Sequence, residues 1–247
     1  MKFLRILLIL FVWPLVTGCA HKQARAKVPP PPDIPPAQTT TAKSTHSRQP
    51  HSTSGESDTV IVQTAKPIYT EMGLASWYGA PYHSRRGANG EIYDMNGMTA
   101  AHRTLPLNSI VRVTNVKTGK SAIVRITDRG PFIGERMLDL SLAAAKAVDV
   151  WAPGTAWVKM DVLESPAPLD SGGKWAVQIG AFDTLQAATE MKQSLINRYH
   201  PARVLEFAGP TGEWVRVRVQ NDDHDLAEEI SRSVSTAQGG VFLVRLD

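Results

Sequence analysis

Apolar and polar residues follow three different patterns in successive parts of the 247-residue chain. Residues 6–16 form an apolar run, residues 21–67 are mostly polar and rich in proline, and beyond residue 71 apolar and polar positions alternate in short segments. Alternation with a period of two is typical of strands that bury one face. The length and these patterns predict an N-terminal tail without a core, followed by two small folded units.

The middle region predicts several short strands and one helix. Residues 73–78, 109–114 and 121–127 are predicted strands, and N-V-K-T-G-K between the last two suits a hairpin. A helix over L-S-L-A-A-A-K-A-V follows, capped by Asp139 or Ser141, and T-A-W-V-K-M-D-V is a closing strand. Many short strands with a single helix favour a small β-barrel.

The C-terminal region predicts a second domain, of the α+β class. A linker over residues 166–173 precedes the order strand, helix, strand, strand, helix, strand. These elements are expected over residues 175–182, 185–198, 202–207, 214–219, 226–236 and 241–246. The order predicts an antiparallel sheet backed by two helices.

The N-terminus carries the pattern of an export signal. Lys2 and Arg5 precede the apolar run, which is well short of the roughly 20 residues that cross a bilayer. The following L-V-T-G-C resembles the lipobox of bacterial lipoproteins, which implies a diacylglycerol on Cys19. With Ala20 next in the chain, the resemblance implies an outer-membrane lipoprotein that faces the periplasm. An ordinary secretory signal with a chance cysteine is the alternative.

Composition restricts what the remaining segments can do. The single cysteine excludes an intramolecular disulfide and a cysteine-based zinc cluster. The linker over residues 19–67 holds few large apolar groups, so we expect a disordered spacer in which His46 and His51 are solvated rather than metal-binding. A net charge of +4 suits nucleic acid, but equally any polyanionic surface, including a cell wall.

A group of acidic residues and one histidine in the middle region could perform acid–base chemistry. Glu91 and Asp94 follow an Asn-Gly turn, His102 comes eight residues after Asp94, and Asp128 lies in I-T-D-R-G-P. Carboxylates and an imidazole can protonate and deprotonate the oxygens at a glycosidic bond. Each alone could instead be structural: a turn residue, an Asx-turn, a hydrogen-bonded histidine or a solvated strand end. Metal-binding spacing is absent, so neither a metal nor a cofactor is predicted.

Three long motifs in this region resemble one family. G-L-A-S-W-Y-G, A-N-G-E-I-Y-D-M-N-G-M-T-A-A-H-R-T-L-P and I-T-D-R-G-P-F-I-G-E-R-M-L-D-L-S are similar to the rare lipoprotein A family over residues 72–162. The resemblance implies a six-stranded double-psi β-barrel and an endolytic peptidoglycan lytic transglycosylase. The implied substrate is the MurNAc–GlcNAc bond of glycan strands that lack stem peptides.

The resemblance also carries a catalytic role onto Glu91, Asp94, His102 and Asp128. Our hypothesis makes Asp128 the acid and base, with Glu91 and Asp94 tuning its pKa and stabilising positive charge on the sugar. His102 would then donate a hydrogen bond to the substrate or orient a carboxylate. The sequence leaves open which of the three carboxylates is the acid.

The C-terminal region resembles a SPOR domain over residues 174–247, on W-A-V-Q-I-G-A-F followed by V-R-V-R-V. This implies a ferredoxin-like or RNP-like βαββαβ fold that binds peptide-free glycan at the division septum. The matching positions Gln178, Phe182, Trp214 and Arg216 are expected at its binding face. RNA-binding modules share this strand order, but the export signal and the absence of their aromatic pattern argue against a nucleic-acid partner.

The predicted organisation is a signal peptide over residues 1–18, a lipidated Cys19 with its linker over 19–67, a catalytic barrel over 68–164, a linker over 165–173 and a SPOR domain over 174–247. Such a protein would act at the septum in wall remodelling and daughter-cell separation. The alternatives are a non-catalytic septal glycan-binding lipoprotein and a regulator that recruits other wall enzymes. The joint presence of all four candidate catalytic residues favours the enzyme.

Overall fold

The computed structural model describes residues 65–200, 202–209 and 211–247. The predictions for the signal peptide, for Cys19 and for the linker up to residue 64 lie outside these residues. All described residues fall within one compact unit. Within these ranges no helix combines the length and the hydropathy needed to cross a membrane.

Six strands close into a barrel in the order β1-β5-β2-β4-β3-β6. β1 pairs in parallel with β5, and β2 pairs in parallel with β4, whereas the other neighbours are antiparallel. This is the double-psi β-barrel that the resemblance implied. The strands are β1 Tyr69–Trp77, β2 Thr99–His102, β3 Ile110–Asn115, β4 Ser121–Asp128, β5 Arg136–Leu140 and β6 Ala156–Glu164, and helix α1 spans Leu142–Ala147.

The barrel core follows from the alternation of apolar side chains. Val111 and Val113 on β3 point inward and are fully buried, while Ile110, Arg112 and Thr114, which alternate with them, are half-buried. Burying one such side chain contributes about 1.5–3 kcal/mol. Helix α1 is capped by Ser141, whose hydroxyl accepts from the Ala144 N–H and so satisfies one free amide of the first turn. Ala144 and Ala145 then pack against the same core.

The predicted hairpin of β3 and β4 is confirmed, and the predicted helix and closing strand correspond to α1 and β6. β2 and β5 were not predicted as strands. β2 is only four residues long, and β5 has two successive buried residues, Met137 and Leu138, so neither shows alternation.

The second domain is an antiparallel sheet in the order β10-β7-β9-β8, with two helices on one face. The order of elements and the fold agree with the prediction. Trp175, Val177 and Ile179 on β7 pack with α2 and α3, so the residues between them lie on the opposite face of the sheet. The elements are β7 Trp175–Phe182, α2 Leu185–Arg198, β8 Arg203–Gly209, β9 Gly212–Arg218, α3 His224–Ser233 and β10 Gly240–Arg245.

The sheet face without helices packs against the barrel. The main chain at and after the end of β10 pairs with the barrel segment after β2: the Arg245 N–H donates to the Arg103 carbonyl at 3.0 Å, and the Leu107 N–H donates to the Asp247 oxygen at 3.2 Å. The ring of Phe132, which follows β4, lies edge-on to Trp214 and Phe242 at 5.8 and 5.7 Å between centroids. Backbone hydrogen bonds and aromatic packing thus join the two domains.

Candidate active site

A cavity of about 630 Å³ lies where the barrel meets the uncovered sheet face. On the barrel side its lining includes Ala101 of β2. Ala101 pairs with Asp128 on β4 and with Asp139 on β5, and all three residues line the cavity. Two strand spacings separate the aspartates, so their Cα atoms are about 10 Å apart. The small side chain of Ala101 leaves the space between the two carboxylates open.

Asp128 is held by its own backbone surroundings. Its Oδ1 accepts from the Ala88 N–H at 3.0 Å and from the Arg129 N–H at 2.8 Å. Burial raises the pKa of Asp128, and these two donors and the Arg129 charge oppose that rise only in part. Since both donors reach Oδ1, Oδ2 is the oxygen that can exchange a proton with a substrate.

Asp139 is the more perturbed of the two carboxylates. Its side chain is 15% exposed, and burial raises its pKa to about 6, against the opposing charges of Arg136 and Arg103. Arg136 donates to Oδ2 at 3.2 Å, and Oδ1 is a buried oxygen without a hydrogen-bond partner among the described residues. General acid catalysis needs a carboxylic acid that is still protonated near neutral pH, and a pKa close to neutral provides this.

Sequence reasoning missed Asp139 as a functional residue and treated it as a possible helix cap. The cap is Ser141. The signal that could have found Asp139 is a carboxylate between two leucines in M-L-D-L-S, because a buried ionisable group in a cavity is a common mark of a functional site.

Tyrosines form one wall of the cavity. Tyr78 and Tyr93 stack with their centroids 4.4 Å apart, and Tyr82 lies edge-on to Tyr78 at 6.0 Å. The Tyr93 hydroxyl donates to the Tyr78 carbonyl at 2.7 Å, which fixes the pair. Rings of this kind present flat apolar faces with polar edges, a surface suited to sugars.

Glu91 and Asp94 line a second, smaller cavity of about 160 Å³ that also reaches Asp128. The Arg125 guanidinium binds both oxygens of Glu91, at 2.9 and 2.7 Å, and lowers the pKa of this exposed carboxyl. Asp94 is exposed and accepts from the Asn96 N–H at 2.9 Å in a local turn. The three predicted carboxylates therefore meet at one place, but Glu91 is already neutralised by an arginine.

His102 lines neither of these two cavities; together with Glu71 it lines another cavity, of about 740 Å³, beside residues 165–170. It is buried, and its Nδ1 accepts from the N–H groups of Thr104 and Leu105 at 3.2 and 3.0 Å. Its Nε2 lies 3.7 Å from Glu71, and burial lowers the pKa of His102 although Glu71 opposes this. The ring therefore holds the turn after β2, where Arg129 donates to the carbonyls of His102 and Leu105.

Three of the four residues predicted for the SPOR binding face lie together. Gln178, Trp214 and Arg216 line the cavity of about 630 Å³ from the sheet side. Arg216 donates to the Gln178 side-chain oxygen at 2.6 Å, and its guanidinium lies 4.9 Å from the centroid of the Phe207 ring. The structure separates Phe182 from them: it is 3% exposed and packs with the helices on the other face.

Two family models match the chain, and they cover its two domains. Residues 70–160 match a model described as lytic transglycolase, and residues 171–245 match the SPOR domain. Several curated proteins named endolytic peptidoglycan transglycosylase RlpA are about half identical to the chain over the matched region. Over these residues the chain is similar to the rare lipoprotein A family.

The relatives differ in how much of them the chain covers. The Pseudomonas aeruginosa (strain UCBPP-PA14) protein is 52% identical over 111 residues, which are 43% of this chain and 33% of that protein. The Neisseria meningitidis (strain Z2491) protein is 48% identical over 118 residues, 47% of this chain and 49% of that protein. The Campylobacter jejuni protein is 37% identical over 158 residues, a match that covers 54% of this chain and 56% of that protein. The chain thus spans between a third and just over half of these relatives.

Proposed function

We propose that this protein is an endolytic peptidoglycan transglycosylase that cuts the bond between N-acetylmuramic acid and N-acetylglucosamine. The observation that carries the proposal is the pair of half-buried aspartates, Asp128 and Asp139, on either side of Ala101 in one cavity. The names of the relatives support the same activity. Enzymes that break glycosidic bonds usually place two carboxylates on either side of the scissile bond.

Asp139 and Asp128 take different roles in this mechanism because their surroundings differ. Asp139, with the pKa near 6, gives its proton to the glycosidic oxygen, which leaves as the C4 hydroxyl of N-acetylglucosamine. As the C1–O bond breaks, the C6 hydroxyl oxygen of muramic acid bonds to C1, and its proton passes to the Asp128 carboxylate. The product is a 1,6-anhydro sugar, and water is not a reactant. Proton exchange with solvent restores both aspartates.

Glu91 and His102 act on the backbone around the cavity rather than on the sugar. The Glu91–Arg125 pair ties the loop before β2 to β4, and that loop supplies the Ala88 N–H to Asp128. His102 holds the turn to which Arg129 is bonded. These are positioning roles, and they differ from the pKa tuning and substrate contact expected from the sequence.

The charge of the cavity supports a preference for strands without stem peptides. Five arginines line it, against two aspartates. The stem peptide is attached through the lactyl carboxyl of muramic acid, so its removal frees an anion on every second sugar. The arginine guanidinium group can donate two hydrogen bonds to one carboxylate, and this interaction is stronger where water is partly excluded. The arginines of the cavity are therefore suited to bind the freed lactyl carboxylate.

The location in the cell is part of the same proposal. Export by the N-terminal signal and acylation of Cys19 would hold the protein at the outer membrane, facing the periplasm, with the linker giving reach to the wall. The SPOR domain would concentrate it at the division septum, where remodelling separates the daughter cells. Microscopy of a fluorescent fusion, with and without Cys19→Ser, tests this part.

Mass spectrometry of reaction products tests the activity. Purified protein is incubated with peptide-free glycan strands, beside Asp139→Asn, Asp128→Asn and the control Asp149→Asn, which alters an exposed ion pair with Lys120. Anhydromuramyl ends from the parent and the control, absent from the two cavity variants, are the expected result. Reducing ends would indicate hydrolysis instead. Binding without any product would leave a septal glycan-binding lipoprotein.

A further inference from the structure

Residues that carry a buried polar atom without a partner are concentrated around the cavity of about 630 Å³. Six such side-chain atoms occur among the described residues, and five belong to residues that line it. A buried polar group without a partner costs free energy, so a concentration of residues with such groups around one cavity marks it as a functional rather than a purely structural feature. The five are Tyr78 Oη, Arg129 Nε, Arg136 Nε, Asp139 Oδ1 and Arg216 Nε.

These atoms come from both domains. Four belong to the barrel, and Arg216 belongs to β9 of the SPOR domain. Gln178, its neighbour across the sheet, uses its side-chain oxygen to orient Arg216 and lines the same cavity. Trp214 completes this wall and touches the barrel through Phe132. A ligand that fills this cavity would therefore contact both the barrel and the SPOR sheet.

The contacts between the domains hold this wall in place. Main-chain hydrogen bonds connect Arg245 to Arg103 and Asp247 to Leu107, and the Arg129 guanidinium donates to the Asp247 oxygen. The connecting segment is also fastened, since Arg245 donates to the Pro168 carbonyl at 2.7 Å. Hydrogen bonds to the barrel and to the linker thus fix the position of the SPOR sheet.

We propose that the SPOR sheet is part of the substrate site of the barrel. The strand cut between Asp128 and Asp139 is held at the same time by Arg216 and Gln178, which supply a sugar subsite beside the scissile bond. This rests on the proposed function, and it assigns the SPOR domain a role in positioning the substrate in addition to placing the enzyme on the wall. A cavity of about 630 Å³ has the size of a site for a small ligand.

Binding of a short soluble glycan tests the proposal, because a soluble fragment cannot benefit from attachment to the wall. A peptide-free tetrasaccharide is titrated calorimetrically into protein carrying Asp139→Asn, so that it stays intact. In this background we compare Arg216→Ala, Tyr82→Ala on the opposite wall, and the control Arg218→Ala. Arg218 has the same charge on the same strand and pairs with Asp222, away from the cavity.

A shared site requires that both walls contribute to affinity. The expected result is a rise in Kd of about tenfold or more for both Arg216→Ala and Tyr82→Ala, and less than about twofold for Arg218→Ala. Either of two results overturns the proposal: no effect of Arg216→Ala, or an effect of Arg216→Ala without one of Tyr82→Ala, which means that the SPOR domain binds alone. If Arg216→Ala does not fold, Arg216→Lys, which keeps the charge but not the fork, takes its place.

Kinetics on the same tetrasaccharide, with Asp139 intact, separate this proposal from the proposed function. A positioning role raises KM in Arg216→Ala, with kcat within about threefold of the parent. A domain that only attaches the enzyme to the wall leaves tetrasaccharide cleavage unchanged and lowers activity on sacculi alone, which contradicts a shared site. If the parent cuts neither substrate, the transglycosylase proposal fails, and the binding data decide the shared site by themselves.

Discussion

Replacing Asp139 with asparagine is expected to stabilise the protein while it abolishes cleavage. Burial raises the pKa of Asp139 from its ordinary 3.8 to about 6. A pKa shift of one unit corresponds to about 1.36 kcal/mol. The ionised carboxylate therefore lowers the free energy of unfolding by about 3 kcal/mol. Asparagine carries no charge, and its oxygen can still accept from Arg136, so the variant avoids this cost.

The pH dependence has a definite sign. The folded state binds the Asp139 proton more tightly than the unfolded state does, so the cost is fully present above about pH 6. As the pH falls from about 6 to about 4, the folded parent takes up the proton and the cost disappears. The stability difference between Asp139→Asn and the parent is therefore about 3 kcal/mol near pH 8 and close to zero below about pH 4.

Urea unfolding followed by tryptophan fluorescence, at several pH values between about 4 and 8, measures this difference. Asp128 titrates in both proteins, so only the difference between the two curves is used. Asp149→Asn is the control: its exposed ion pair with Lys120 contributes about 1 kcal/mol or less. A variant that is less stable than the parent at pH 8, or a difference that is the same at every pH, would refute the reasoning.

Three further substitutions test the surroundings of the cavity. Glu91→Gln breaks the bidentate pair with Arg125 and should lower kcat about tenfold without abolishing cleavage; complete loss would mean that Glu91 takes part in the chemistry. His102→Ala leaves the buried Leu105 N–H and the part-buried Thr104 N–H without an acceptor and should lower the unfolding free energy by about 2 kcal/mol in urea titrations. Ala101→Val narrows the gap between the aspartates and should reduce kcat/KM at least about tenfold, with the melting temperature nearly unchanged; an unaffected rate would place the sugar elsewhere.

Local patterns were sufficient for elements whose signals are local. β7 and α2 have the predicted bounds because alternation, a threonine cap and a helical stretch follow one another without interruption. The pairing of Glu91 with Arg125, 34 positions away, has no such signal. It depends on β4 folding back beside the loop, so the sequence could place Glu91 near Asp128 only through the family resemblance.

Phe182 illustrates a second limit. Alternation from Gln178 places it on the same face of the sheet, since the two are four residues apart. The register between β7 and β9 shifts between Gly180 and Phe182, and this irregularity turns Phe182 to the helix side. Asp139 was not predicted for a related reason. β5 has adjacent buried residues, so the sequence shows no alternation there, and the strand and the direction of the Asp139 carboxylate depend on closure of the barrel.

The main-chain pairing between residues 103–107 and 245–247 limits how the chain can be divided. Cutting it within the linker would expose Phe132 on one fragment and Trp214 and Phe242 on the other, and would leave backbone groups of both unpaired. Each fragment would then present an apolar patch of the kind that promotes aggregation. A hybrid enzyme with a different SPOR domain should therefore also receive the barrel residues that contact that domain in its parent protein.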